Sequence, residues 1–203
     1  MVYEENPLSI LALPPINNSS AADAIGLYNT TIAYPVAHMG YYVLPIEVID
    51  EMLKAEGIDN PALLVDTNPS VFRDYFGVDA VLFTTIDKWN TAYYLIGGHV
   101  RVAANFRLVS CKTGEELWRY KGDITIDTSR YPDEFSEDPY IALIELVIGF
   151  FATAFATAEQ DYVPIALKVN ETALNTLPYG KYHGRFGTDQ DTLLVNPKFI
   201  PKD

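Results

Sequence analysis

The chain carries three imidazoles that could move a proton or hold a metal, at His38, His99 and His183. Each falls in a different stretch of the sequence. None has a second ligand-type residue at metal spacing, such as an i,i+4 His or a paired Cys. His99, beside Gly97-Gly98, reads as a residue on a strand at the sheet edge. The single thiol, Cys111, has no partner for an intramolecular disulfide. With no His close by in sequence, it reads as a small apolar residue near a hairpin and not as a nucleophile. Gly97-Gly98 lies in a strand-forming region and opens no helix, so it lacks the context of a phosphate-cradling loop. No Gly-x-Ser-x-Gly elbow occurs.

Carboxylates are plentiful at Asp50-Glu51, at Glu115-Glu116 and in the run Asp133, Glu134, Glu137 and Asp138. Glycoside hydrolysis needs two carboxyls at a set separation in a cleft, whereas these fall in predicted turns and surfaces. The acidic run could bind calcium weakly, but its spacing matches no EF-hand loop. The sequence therefore assigns no catalytic residue, no metal site and no cofactor.

Aromatic residues are the more prominent chemistry: 14 Tyr, 10 Phe and 2 Trp. Tyrosine brings area, rigidity and one hydrogen-bonding group to an interface. Tyr41-Tyr42 is assigned to the core. Tyr179, Tyr182 and Phe186 have no adjacent apolar pattern to form a local core, which leaves docking onto another surface or ordinary packing.

These residues need elements to position them. Leu8–Leu13 has the length of a buried strand, stopped by Pro14-Pro15. Asn17-Asn18-Ser19-Ser20 opens a helix over about 21–39, which Pro35 kinks or ends early. Gly40 stands at its C-cap. Tyr41–Leu44 reads as a second strand, and Pro45 opens a helix with Val48, Met52, Leu53 and Ala55 as its apolar stripe, ending at Gly57. Short helices fit Pro61–Leu64 and Pro69–Phe76.

The period then changes. Ala80–Trp89, Tyr93–Val109 and Glu116–Ile126 alternate as strands. In the second, Val100, Val102, Ala104, Phe106 and Leu108 share one face, while Arg101, Asn105 and Arg107 share the other. In the third, Trp118, Tyr120, Ile124 and Ile126 share one face. Ile141–Ala158 is apolar apart from Glu145. It is short for a membrane span and lacks basic flanks, so it reads as a buried helix. Its one-turn pairs Ala152/Ala156 and Ala154/Ala158 suit close approach of a partner helix, and a homodimer seam is expected there. Tyr162–Thr176 is a further helical or irregular piece.

The expected fold is α/β (α+β), with a single mixed sheet of about five strands. Its first part is parallel, its second an antiparallel meander, and helices cover it. One domain spans 1–177, followed by an extended tail, 178–203, that could wrap a neighbour. The 203 residues are 49% hydrophobic and 20% charged, which suits a globular chain. The formal charge of −13 argues against nucleic acid or an anionic membrane surface as partner. The opening Met1–Asn6 has neither a basic start nor an apolar run. That fits a cytosolic protein or an exported one whose signal has been removed.

Several blocks carry a resemblance: Ser9-Ile10-Leu11-Ala12-Leu13-Pro14-Pro15-Ile16-Asn17-Asn18-Ser19, Tyr34-Pro35-Val36-Ala37, Gly40-Tyr41-Tyr42-Val43-Leu44-Pro45, Phe76-Gly77-Val78-Asp79-Ala80 and Thr113-Gly114-Glu115-Glu116-Leu117-Trp118. Together they resemble a family of bacterial lipoproteins of unknown function, typified by a meningococcal vaccine-candidate surface lipoprotein. The resemblance spans most of the first 120 residues and fades beyond Asp127. It implies an acylated N-terminal Cys, absent from this chain, that anchors the protein at the periplasmic face of a membrane, the outer membrane being expected. It also implies a fold similar to the N-terminal domain of TolB and to lipoproteins that activate penicillin-binding proteins. No catalytic residue comes with it.

The leading expectation is thus a non-enzymatic envelope module that binds other proteins, with export or cell-wall machinery or a second copy of itself as partner. The competing one is a periplasmic small-ligand binder using the crevice after the first strand, where Pro14, Asn17 and Asn18 sit at the carboxyl edge of the sheet. The candidate contact residues are Pro14, Asn17, Asn18, Ala152, Ala156, Tyr179, Tyr182 and Phe186.

Overall fold

The apolar run near the N-terminus forms β1 (Ser9–Ala12) and lies between two other strands, with both of its faces covered. A computed structural model describes residues 2–94, 97–127 and 162–190 of the chain. A short helix α1 (Val2–Glu5) precedes β1, and β2 (Ile16–Asn17) follows the Pro14-Pro15 break. Next come α2 (Ala24–Thr31), α3 (Ala33–His38), β3 (Tyr42–Val43), α4 (Ile46–Ala55), a 3₁₀ turn (Pro61–Leu64) and α5 (Ser70–Phe76). The meander is β4 (Ala80–Tyr94), β5 (Gly97–Ser110) and β6 (Glu116–Asp127), and α6 (Val163–Leu174) returns to pack on it.

One mixed sheet holds all six strands in the order β3-β1-β4-β5-β6, with β2 also pairing β4. β1 runs parallel to both β3 and β4, while β4, β5 and β6 are antiparallel. The mixed α/β fold is as the sequence predicts, with β2 as an additional strand. Two bulges tune the side-chain phase. An extra residue at Asp87 lets Trp89, rather than Lys88, follow Ile86 into the core. A second irregularity, opposite Leu108 and Val109, buries both Leu117 and Trp118.

The sheet has two unequal coats. On one face α2, α3 and α6 close over Ile10, Leu82, Val102, Phe106, Leu108 and Trp118. On the other, α4 and α5 contribute Ile49, Leu53 and Phe72 over Leu11, Leu13, Val81 and Phe83. Three polar contacts, two of them fully buried, fix the first coat. Tyr28 Oη and Thr84 Oγ1 share a hydrogen bond of 2.8 Å, Asn170 donates to Thr31 Oγ1 at 2.9 Å, and Thr31 donates to the Leu27 carbonyl at 2.6 Å.

Several local expectations are revised. The long helix is two helices broken at Ile32. Pro35 lies inside α3, and the break falls beside Thr31, whose carbonyl loses its i+4 donor and meets the proline ring. In α4 the buried stripe is Ile46, Ile49 and Leu53, whereas Val48 and Met52 are 51% and 47% exposed. The helix starts directly after Pro45, which turns the 46/49/53 face inward. Tyr41 is buried, but Tyr42 is 61% exposed because β3 is the outer strand and successive residues point to opposite sides. Tyr93 and Tyr94 belong to β4, not β5. His99 sits on β5, an inner strand, opposite Ala92 and Asp127, and so is not at the sheet edge. Ile141–Ala158, with Ala152 and Ala156, and the acidic run 133–138 lie outside the described residues. Among those described, no helix is long and apolar enough to cross a membrane.

Asp79 joins the parallel and antiparallel halves. Its Oδ2 accepts from the Leu8 and Ser9 backbone N–H groups at 3.0 and 3.2 Å and from Ser9 Oγ at 3.1 Å. Ser9 Oγ in turn accepts the Asp79 N–H at 3.0 Å. Replacing the acid strands two backbone donors at the start of β1. Asp79→Ala is expected to lower stability by about 1–3 kcal/mol in urea denaturation, with Ser9→Ala costing less. A midpoint within error of the parent protein would show that this clip does not matter.

Candidate functional site

On the α4–α5 side the described helices cover only part of the sheet. Past Phe83 on β4 and Val109 on β5, the α4–α5 side carries Thr85, Asn105, Arg107 and Lys121 instead of apolar side chains. A groove of about 360 Å³ opens at this boundary. Leu13, Pro14 and Ile16 wall one side with Pro61 and Val65. Phe83 forms the floor, and Arg107, Arg119 and Lys121 form the far rim.

Register explains the rim. Arg107 on β5 is directly opposite Arg119 on β6, and Asn105 is opposite Lys121, so three cations share one small area. The Arg107 guanidinium lies over the Phe83 ring, 4.9 Å from its centroid. Arg119 is held by both oxygens of Glu116, its Nε donating to Oε1 at 2.8 Å, and this hydrogen bonding raises its pKa further. Among the described residues, Arg107 and Lys121 form no ion pair. Asn105 donates to Asp87 at the bulge, and Asn18 reaches the same carboxylate at 3.3 Å.

Of the residues expected in a crevice after β1, Pro14 lines this groove. Asn17 and Asn18 do not. Asn17 closes its own turn, accepting from the Ser19 N–H at 3.0 Å and hydroxyl at 2.6 Å and donating to the Ala21 carbonyl at 2.7 Å. The cation rim was not singled out from the sequence. Its signal lay in the polar face Arg101, Asn105, Arg107 of one strand, but the facing Arg119 and Lys121 needed the register.

Tyr179, Tyr182 and Phe186 lie elsewhere, in a segment docked across the end of α3. Gly180 donates to the Met39 carbonyl at 2.7 Å, Tyr182 N–H donates to the Gly40 carbonyl at 3.1 Å, and Tyr41 Oη donates to the Pro178 carbonyl at 2.6 Å. Gly40, at φ +86°, and Gly180 sit back to back. A Cβ on either would collide with the backbone of the other's segment. Tyr179 stacks on His183 at 4.1 Å, His38 meets His183 edge-on at 6.2 Å, and Arg185 lies 5.2 Å from the Tyr179 ring centroid. Phe186 packs on Tyr3 at 5.6 Å, while Tyr182 is 66% exposed.

Cys111 is buried beneath α5. Burial first, then the Asp79 charge, pushes its thiol up to about 11, which leaves little thiolate at neutral pH. No group of three or more His, Cys, Asp or Glu among the described residues could hold a metal.

Comparison with known proteins places this geometry in context. A family model described as "Putative lipoprotein GNA1162-like" matches residues 2–189. "Putative lipoprotein NMB1124/NMB1162" of Neisseria meningitidis serogroup B is 36% identical over 115 residues, which are 57% of this chain and 54% of that protein. The match thus spans about half the length of that curated relative. The crystal structure of lipoprotein GNA1162 from Neisseria meningitidis aligns with a TM-score of 0.54 at 31% identity, covering 72% of this chain and 99% of that one. The LpoB C-terminal domain from Salmonella enterica aligns with a TM-score of 0.38 at 16% identity, covering 59% and 84%.

The docked segment should respond to acid. Burial, then the neighbouring His38 and Arg185, hold the His183 pKa below its ordinary 6.5. Its Nδ1 also accepts the Arg185 N–H at 3.1 Å, a bond that a protonated Nδ1 cannot make. The docked state therefore binds fewer protons than the released one. Docking is fully stable above about pH 6.5 and weakens as pH falls below it. Hydrogen exchange corrected for intrinsic rate should show less protection at the Gly180 and Tyr182 amides at pH 5.5 than at pH 7.5. His183→Gln should remove the difference, and Gly180→Ala should abolish protection at both. Equal protection across the pH range would refute the imidazole's part.

Proposed function

The chain belongs to the GNA1162-like lipoprotein family, and from that premise we propose that it is a non-enzymatic module of the bacterial cell envelope that works by binding other proteins. In this reading a lipid anchor holds it at the periplasmic face of a membrane, the outer membrane being favoured, where it engages export or cell-wall machinery. A second copy of the chain is a further partner, with Ala152 and Ala156 as proposed seam residues.

One observation carries the reading: buried polar groups tie elements of the fold together, while the groove rim presents charged groups to solvent. Tyr28 with Thr84, Asn170 with Thr31 and Trp118 Nε1 with the Thr176 carbonyl each join two elements. The groove rim, by contrast, offers Arg107 and Lys121, which form no ion pair among the described residues, beside an apolar wall. Such a surface suits recognition, because the groups are spread along an open face and do not converge on one atom.

Site-specific photo-crosslinking in intact cells tests this. A photoreactive residue at Lys121, on the groove rim, or at Tyr182, on the docked segment, should capture discrete envelope proteins. One at Ser20, in the exposed turn after β2, should not. Adducts absent from all three positions would defeat the proposal. Light scattering at micromolar concentration tests the self-association arm separately, and a monomeric mass would remove it.

A further inference from the structure

Resting on that proposed role in protein binding, we infer that the groove between Pro14 and the β5–β6 rim takes an acidic peptide segment bearing an apolar side chain. The apolar residue lies against Ile16, Pro61 and Val65, and the acidic one meets Arg107 and Lys121.

Charge supports this first. The sequence has 14 Lys and Arg against 27 Asp and Glu. Cations are the scarcer charge, yet Arg107, Arg119 and Lys121 share one face of two paired strands. Like charges directly opposite across a ladder are unfavourable in the free protein. Glu116 offsets Arg119 alone, which leaves Arg107 and Lys121 as the cations of the groove that form no ion pair among the described residues. An incoming carboxylate relieves that repulsion, whereas any basic segment increases it.

Shape supports it next. At about 360 Å³ the groove is at the small end of ligand sites. Its Leu13, Pro14, Pro61, Val65 and Phe83 surfaces are apolar, and its charged groups stand at one side. The two surfaces suit a segment that alternates apolar and acidic residues.

Magnitude separates a peptide from a small free anion. Ion pairs at exposed groups contribute only about 0–1 kcal/mol. Arg119 is 49% exposed and Lys121 is exposed as well, so this rim cannot hold a lone phosphate or dicarboxylate firmly. A segment that also covers the half-buried Ile16, Pro61 and Val65 adds apolar burial, and the charges then set its register and direction.

Titration of the full chain labelled with ¹⁵N provides the test. The probe is an end-blocked hexapeptide alternating Glu and Leu, compared with its Lys/Leu counterpart, inorganic phosphate and glutarate. The acidic peptide should shift the Phe83, Arg107 and Lys121 amides in a saturable manner, and the other three should not. Its affinity should fall about tenfold in the Arg107→Gln/Lys121→Gln double variant, the loss of two rim ion pairs, and should weaken as salt rises from 50 to 200 mM. Lys121→Gln alone should give an intermediate loss. No response at those amides, an equal response to phosphate or glutarate, or unchanged affinity in the double variant would overturn the assignment. If the double variant still captures envelope proteins while the acidic peptide fails to bind, only the groove assignment falls. If the peptide binds but nothing is captured in cells, the envelope role falls and the groove stands.

Discussion

β4 outruns its parallel neighbour, and most of the molecule follows from that mismatch. β1 pairs with β4 only at Ile10 to Ala12, opposite Ala80 to Leu82, before Pro14-Pro15 ends its ladder. β5 and β6, free of such breaks, continue along the antiparallel side for a dozen residues or more. The helices tied to the parallel strands can cover only the length that those strands reach. On the α4–α5 side the covering ends near Phe83, and the strands beyond must present polar side chains to water. The groove is the step between the covered and uncovered parts. Asp79 secures the origin of this arrangement, since its carboxylate holds the first residues of β1 against the start of β4.

On the opposite face the described helices reach farther across the sheet, and the reason is again geometric. α2, α3 and α6 together span the sheet from β1 to β6, and the Asp87 bulge keeps β4 in phase under them. Without it the residues after Ile86 would alternate the wrong way, with Lys88 under the helices and Trp89 in water. The bulge does a second thing: it turns the Asp87 carboxylate toward Asn105 and Asn18, on the wet side of the sheet. One irregularity thus keeps the core apolar and partly neutralises the open face. Among the described residues Asp87 forms no ion pair with Arg107 or Lys121.

Much of this was legible in the residues. The buried face of β5, the short helices at Pro61 and Ser70, and the mixed sheet all have strong local signals: strict alternation, proline starts and glycine stops. What the residues concealed depended on pairing. Val48 and Met52 look like a helical stripe until the helix start at Ile46 rotates the face inward by Ile49 and Leu53. Tyr42 and Tyr41 are identical in type and adjacent, and only β3's position on the outside of the sheet separates them. Pro14 was identified as part of a crevice from its place after the first strand. Asn17 and Asn18 shared that inference but not that position, because an Asx turn consumes one and the bulge carboxylate the other. The rim of Arg107, Arg119 and Lys121 depends on a register between strands, which no single strand's sequence reveals.

The same dependence on long-range placement governs residues 178–190. Their composition, rich in Gly and Tyr with no periodicity, describes an extended surface segment that could wrap a neighbour. Yet two glycines from distant parts of the chain, Gly40 and Gly180, allow a backbone-to-backbone approach that no side chain would permit. The hydrogen bonds across that contact, and the stacking of Tyr179 on His183, fix the segment on the domain. Fixing it alters what its exposed aromatic can do. Tyr182 projects from a backbone already ordered by folding, so a partner meeting that ring need not pay the loop-ordering entropy that a free arm demands. An exposed tyrosine on a held segment and a cation-rimmed groove on a rigid sheet are alike in this respect: in both, the cost of order is met before any partner arrives.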